Sequence, residues 1–121
     1  MGWMKRTSVK TGRRDLSHLL REGVTGTVMV SRTDDMVVLN LYGVLPPEEV
    51  GTGLVAILQD GIPSGFRPDG SMAPPLGVSA STLPPFMPRA FMASSGRCDV
   101  NRPGSPVYGT IAYRTEDAWP V

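Results

Sequence analysis

The single histidine is the first residue of the chain to consider for catalysis. His18 is the only imidazole in 121 residues, which excludes any site that needs two of them. A general base needs a nucleophile and an orienting group within hydrogen-bond reach, and the residues around His18 supply neither. The sequence therefore predicts that His18 is a structural or surface residue.

Three acidic pairs are the next candidates: Asp34-Asp35, Glu48-Glu49 and Glu116-Asp117. Neighbouring residues of a strand point to opposite faces, and none of the pairs lies in a loop with oxygen ligands at alternate positions. Solvated turns are the simplest interpretation. A small hydrolase acting on envelope polysaccharide stays an alternative, because glycoside hydrolysis needs two facing carboxyl groups that a sequence cannot reveal.

The glycine, serine and cysteine patterns indicate no further chemistry. The chain has neither a dinucleotide-binding nor a P-loop glycine motif, and Gly51-Thr52-Gly53 precedes a strand instead of a helix. Ser94-Ser95-Gly96 reads as a hairpin turn, not as a nucleophile elbow. Cys98 is the only cysteine, so it cannot form an intramolecular disulfide or a zinc cluster, and it is interpreted as a small core residue. We therefore predict a non-enzymatic protein with no catalytic residue, cofactor or metal.

The elements that must carry these residues are short. Fourteen glycines and twelve prolines in 121 residues interrupt helices and central strands alike. Six or seven short strands then predict an all-β fold, an antiparallel β-sandwich of jelly-roll-like architecture. Asp15 is expected to cap one short N-terminal helix that carries Leu16, Leu19 and Leu20 on one face and ends at Gly23.

Two alternating runs, Gly26 to Arg32 and Asp35 to Gly43, predict a hairpin. With Thr33-Asp34 as a two-residue turn, Val30 pairs with Val37 and Val28 with Leu39, and Leu41 continues their face. The opposite face is mixed in character and is expected to meet a second element or a neighbouring subunit. It carries Thr27, Met29, Ser31, Met36, Val38, Asn40 and Tyr42.

The second half of the chain predicts further strands. Leu54 to Leu58 is apolar throughout and reads as a strand buried on both sides, whereas residues 71–81 predict an edge strand. A second hairpin turning at Ser95-Gly96 places Phe91 and Ala93 on one face with Cys98 and Val100. In the last strand, one face carries Val107, Ile111 and Tyr113, and the other carries Tyr108, Thr110 and Arg114.

Charge divides the chain into a basic arm, residues 1–14, and a single domain, residues 15–121. The arm carries Lys5, Arg6, Lys10, Arg13 and Arg14 and no acidic residue, so its charge is +5 while the remainder is −4. The arm is a candidate anchor onto an acidic surface, and nucleic acid is an unlikely partner because no aromatic residues alternate with the charges. Neither a membrane span nor a secretory signal is expected. Candidate interface residues are Tyr42, Phe86, Met87, Tyr108 and Trp119.

Ile62-Pro63-Ser64-Gly65-Phe66-Arg67-Pro68-Asp69-Gly70 resembles a turn of small β-sandwich domains in phage tail-tip, tail-fibre and receptor-binding proteins. Read with Gly2 to Arg6, Leu16 to Leu20, the hairpin and Thr115 to Pro120, the chain is similar to domains of actinobacteriophage minor tail proteins. Residue by residue, Pro63, Gly65 and Pro68 shape a corner between strands, and Phe66 is expected to point into the core while Arg67 follows the rim.

The resemblance implies a homotrimeric β-sandwich of the virion, assembled in the host cytoplasm and acting by attachment. Its partners would be other virion proteins and a host surface saccharide or protein. A capsid decoration protein or a head-fibre protein that stabilises the shell is the alternative.

Overall fold

The computed structural model describes residues 11–46, 54–78, 88–101 and 106–119. They form two antiparallel sheets, which confirms the all-β prediction. The strands are β1 Thr11–Asp15, β2 Thr25–Thr33, β3 Met36–Leu45, β4 Leu54–Ala56, β5 Gly77–Val78, β6 Ala90–Met92, β7 Cys98–Asn101 and β8 Val107–Arg114. The five-stranded sheet has the order β1-β2-β3-β8-β5, and the three-stranded sheet has the order β4-β7-β6.

One hydrophobic cluster takes side chains from both sheets. Val28 and Leu39 of the larger sheet and Val100 of the smaller one have no exposed surface. Burying such side chains contributes roughly 1.5–3 kcal/mol each, which makes this cluster the main source of stability. Cys98 is 2% exposed and belongs to the cluster, as predicted for a small core residue.

The predicted N-terminal helix is wrong. Residues Ser17–Leu19 form a single 3₁₀ turn, and Gly23 follows in a left-handed conformation with φ of 89°. Hydrogen bonds to distant segments explain the difference: Arg21 N–H donates to Ile57 O at 2.9 Å, and Leu19 O accepts from Gln59 N–H at 2.9 Å. The backbone groups that would build a helix are thus used elsewhere, and tertiary contacts outweigh a weak local preference.

The β2–β3 hairpin has the predicted faces in a different register. Val30 pairs with Leu39 and Val28 with Leu41, two residues away from the predicted partners. The turn lies at Asp34-Asp35, and Asp34 adopts a φ of 54°, a left-handed conformation that aspartate tolerates in tight turns. Because side chains alternate with a period of two, the shift leaves every buried residue on its predicted face.

For the second hairpin, the prediction of which side chains face the core is wrong. Met92 pairs with Cys98 and Ala90 with Val100, so Ala90 and Met92 enter the core, while Phe91 lies half-buried on the outside opposite Asp99. The loop runs from Ala93 to Arg97, whose backbone groups are hydrogen-bonded at 3.1 Å, instead of a two-residue turn. This one-residue change exchanges the two faces of β6.

The other strand predictions hold in part. β8 carries Val107, Ile111 and Tyr113 on one face, as predicted, and all three are buried. β5, Gly77–Val78, is an edge strand, which agrees with the expectation for the described part of residues 71–81; residues 79–81 lie outside the described residues. Leu54 is 39% exposed, so the strand that begins there is not buried on both sides.

Candidate functional site

The corner at Ile62 to Gly70 is anchored from its interior. Phe66 is fully buried, as the sequence predicted. The Tyr113 hydroxyl donates a hydrogen bond to Phe66 O at 2.5 Å, and burial raises the pKa of this phenol well above its usual range. Phe66 N–H in turn donates to Pro63 O at 3.1 Å, which closes the turn. The corner is therefore fixed to β8.

Arg32 binds the corner to the C-terminal tail. Its side chain extends from β2 on the same face as the core valines, and the residue is 7% exposed. The guanidinium donates to four carbonyl oxygens: Asp34 at 2.6 Å, Gly65 at 2.7 Å, Asp117 at 2.9 Å and Ala118 at 3.1 Å. It also lies 4.9 Å from the centre of the Trp119 ring, within the range of a cation–π interaction.

Asp117 makes the reciprocal contacts. Its carboxylate accepts hydrogen bonds from Gly65 N–H at 3.0 Å and Arg67 N–H at 3.1 Å. Asp117 N–H also donates to the Thr115 hydroxyl at 3.1 Å, and this bond within the tail helps to orient Asp117 toward the corner. We call Arg32, Asp117 and Trp119 the tail clasp. The clasp joins two segments, Ile62 to Gly70 and Thr115 to Trp119, that lie far apart in sequence.

The sequence prediction missed Arg32. Its one signal was position, since Arg32 continues the inward row of Val28 and Val30 where an apolar residue is expected. An arginine at an inward position needs buried acceptors, and these are backbone carbonyls that a sequence pattern does not display. Trp119 was predicted at an interface; the structure places it, half-buried, against Arg32, with its ring 3.5 Å from where a Gly12 Cβ would lie.

The outer face of the five-stranded sheet holds two other predicted interface residues together. Tyr42 is 71% exposed, and its ring packs edge-to-face on Tyr108 with centroids 5.1 Å apart. Nearby, the Thr110 hydroxyl donates to the Asn40 side-chain oxygen at 2.7 Å. Met36, at the far end of β3, is 47% exposed. The face is thus a mixed surface with a tyrosine pair at one end.

Arg13 and Arg14 of the predicted arm lie in β1 and not in a free segment. Arg13 pairs opposite Ser31 and joins the outer face, whereas Arg14 pairs opposite Val30 and places its guanidinium 5.4 Å from the Phe66 ring centre. Both are exposed at the edge of the sheet, where charge discourages pairing with other strands. Lys5, Arg6, Lys10, Phe86 and Met87 lie outside the described residues.

The candidates for catalysis are dispersed. His18 is exposed in the 3₁₀ turn, and Asp35 lies in a hairpin turn with an ion pair of 3.1 Å to Arg114. Hydrogen bonds from Ser17 lower the pKa of Asp15. Glu48-Glu49 falls outside the described residues. Within the described parts of the chain, no group of three histidine, cysteine or acidic residues could hold a metal ion.

A groove crosses the outer face of the three-stranded sheet. Its volume is about 550 Å³ and its walls are mostly apolar. It is lined by Leu54, Ser71, Met72, Ala73, Phe91, Met92, Ala93, Arg97 and Asp99. The Asp99 side chain is 4% exposed and accepts a hydrogen bond from Arg97 Nε at 2.5 Å, while the Arg97 side chain is 67% exposed. The groove could not be predicted from the sequence, because its residues come from three separate stretches of the chain.

Over the described ranges, no helix is both long enough and apolar enough to cross a membrane. Comparison with protein-family models, with curated proteins and with solved structures gave no match for this chain.

Proposed function

We propose that this chain is a non-enzymatic structural protein of a phage virion, a tail-tip or fibre-type module that contributes to attachment to the host surface. In this proposal the two sheets form a jelly-roll-like β-sandwich, and three copies assemble into a homotrimer. The shared hydrophobic cluster of the two sheets supports the sandwich.

We base the assignment above all on the Tyr42–Tyr108 pair. Aromatic residues that stand exposed on a sheet are enriched at protein interfaces, because they bury a large area with little loss of side-chain freedom. Tyr42 is 71% exposed and is held in place by its edge-to-face contact with Tyr108, so it is already ordered for binding. The same outer face carries Met36 and Arg13, which supply further apolar and basic contacts.

The tail clasp supports the resemblance to minor tail proteins through contacts within the fold, not through an exposed surface. The two most characteristic stretches of that resemblance, Ile62 to Gly70 and Thr115 to Pro120, meet through Arg32 and Asp117 along their described residues. Residues that stabilise the same corner of a fold are expected to be found together in the sequences that have that corner. The motifs therefore bear on architecture, and the contacts that select a partner lie elsewhere on the surface.

Oligomeric state tests the role of the outer face. We expect the purified chain to be a trimer by light scattering, and Tyr42→Glu to weaken the trimer because it places a charge in the interface. Ser94→Glu is the matched control, since it adds the same charge to an exposed turn of the other sheet. A monomeric wild-type chain, or trimers of equal stability in both variants, would refute the interface.

Attachment requires a separate experiment on the phage that encodes the chain. We expect the purified protein to bind host envelope and to compete with adsorption of whole particles. A protein that does neither is not a receptor-binding module.

Capsid decoration is the second candidate, because Arg13 gives the outer face a basic group suited to an acidic shell. Quantitative mass spectrometry of particles separates the two roles. A tail-tip protein is present in a few copies per particle, whereas a decoration protein is present in hundreds.

A further inference from the structure

The groove on the three-stranded sheet contains a buried carboxylate that is only partly satisfied. Asp99 is 3% exposed, and Arg97 Nε is the one donor among the described residues that pairs with its side chain, through Oδ2. An ionised carboxylate can accept about four hydrogen bonds, and leaving acceptors of a buried charge unused is costly. Asp99 lines the groove, and since no donor among the described residues pairs with Oδ1, this oxygen favours a ligand that brings a hydrogen-bond donor into the groove.

Charge restricts the kind of donor. Arg97 already neutralises Asp99, so a second cation in the groove would meet the Arg97 guanidinium, and an anion would meet the Asp99 carboxylate. A neutral donor avoids both repulsions. The polar end of the ligand should therefore be an uncharged N–H or O–H group.

The side chains that line the groove indicate the chemistry of the rest of the ligand. Leu54 is 39% exposed, Phe91 and Met72 are half-buried, and all three line a volume of about 550 Å³. Phe91 offers an aromatic ring, and the Met72 thioether is of a kind that packs well against aromatic edges. An aromatic side chain with a neutral donor combines these requirements, and the indole of tryptophan carries an N–H that donates without needing a donor in return.

We propose that the groove is a binding site for a tryptophan side chain presented by a partner polypeptide, with the indole N–H donating to Asp99 and the ring packed between Phe91, Leu54 and Met72. The site is separate from the outer face of the five-stranded sheet, and it does not depend on the virion role proposed above.

A titration followed by ¹H–¹⁵N NMR tests the site with N-acetyl-L-tryptophanamide. We expect saturable shifts confined to the amides of the groove, with a Kd on the order of 1 mM for this isolated side chain. The 1-methylindole analogue keeps the ring and loses the N–H, so it should bind roughly fivefold or more weakly to the unchanged protein. Because this comparison alters only the ligand, it does not depend on a variant that has to fold.

Protein variants locate the binding. Phe91→Ala should weaken binding several-fold, while His18→Ala, which removes an exposed ring from the 3₁₀ turn Ser17–Leu19, should leave it unchanged. Shifts that do not saturate, or that map to the Tyr42 face, overturn the site. Equal binding of the methylated analogue overturns the contact with Asp99, and stronger binding of the tyrosine or leucine amide overturns the choice of tryptophan.

Discussion

Replacement of Arg32 by methionine is expected to destabilise the protein by about 3 kcal/mol. Methionine keeps the apolar stem of the arginine and removes the guanidinium, which donates to carbonyl oxygens of Asp34, Gly65, Asp117 and Ala118. These acceptors lose a charged donor while the surrounding backbone stays in place.

The magnitude follows from the burial of each contact. The bond to Gly65 O is buried, and a buried hydrogen bond to a charged group contributes roughly 1.5–3 kcal/mol. The bonds to Asp34, Asp117 and Ala118 are part-buried, so water can replace the donor and each adds about 0.5 kcal/mol. Loss of the Trp119 contact adds about 0.5 kcal/mol at this half-buried site. Simple addition gives about 3.5–5 kcal/mol, but the contributions overlap, so we expect a smaller total near 3 kcal/mol, or roughly 12 °C in Tm.

Urea unfolding of Arg32→Met gives the free energy directly, and Arg114→Met is the matched control. Arg114 makes one ion pair with Asp35 and its side chain is 65% exposed, so its replacement should cost no more than about 1 kcal/mol. In a Trp3→Phe background, fluorescence reports on Trp119 alone, and the emission should shift to the red in native Arg32→Met as the tail is released. If the two methionine variants differ by less than about 1 kcal/mol, the clasp does not anchor the tail.

Two further predictions concern the backbone and the core. Gly26 has a φ of 122°, and a Cβ there would lie 2.6 Å from Gly43 O, so Gly26→Ala should cost about 2–3 kcal/mol in urea unfolding. Gly70→Ala is its control, with nothing within 4 Å of the added atom, and a change above about 1 kcal/mol there would contradict the steric reasoning. Burial raises the pKa of Cys98 from 9.0 to about 12, so above pH 9 the unfolded chain releases a proton that the folded chain keeps. The free energy of unfolding should therefore fall as pH rises, with a contribution from Cys98 of up to about 1.4 kcal/mol per pH unit. Urea unfolding between pH 8 and 11 should show a smaller decline for Cys98→Ala, and identical declines would refute this role of the thiol.

The β2–β3 hairpin shows what an alternating sequence pattern can predict and what it cannot. Its buried residues were predictable because Val28 and Val30 repeat with the period of a strand. Its register was not, because a shift of two residues keeps the same side chains inside and gives the same pattern. The turn at Asp34 decided between the registers, through a left-handed conformation that the sequence permits and does not require.

The prediction for the β6–β7 hairpin was wrong for a related reason. Residues 90–93 are all apolar, so alternation could not identify the inward side chains, and the prediction depended on the turn alone. The observed loop from Ala93 to Arg97 moves the pairing by one residue. Phe91 consequently lies outside, opposite Asp99, and both residues line the apolar groove.

The tail clasp and the groove share the property that made them invisible in the sequence. Arg32 and Asp117 are separated by 85 positions along the chain, and the groove unites β4, β7, β6 and residues 71–73. Each depends on a polar side chain in apolar surroundings: Arg32 continues the inward row of Val28 and Val30, and Asp99 lies between Cys98 and Val100 in the sequence. In the clasp, Arg32 has carbonyl acceptors for its donors; in the groove, Asp99 has one donor among the described residues, and that donor pairs with Oδ2. A satisfied buried charge indicates architecture, whereas one that is only partly satisfied beside an open groove indicates binding.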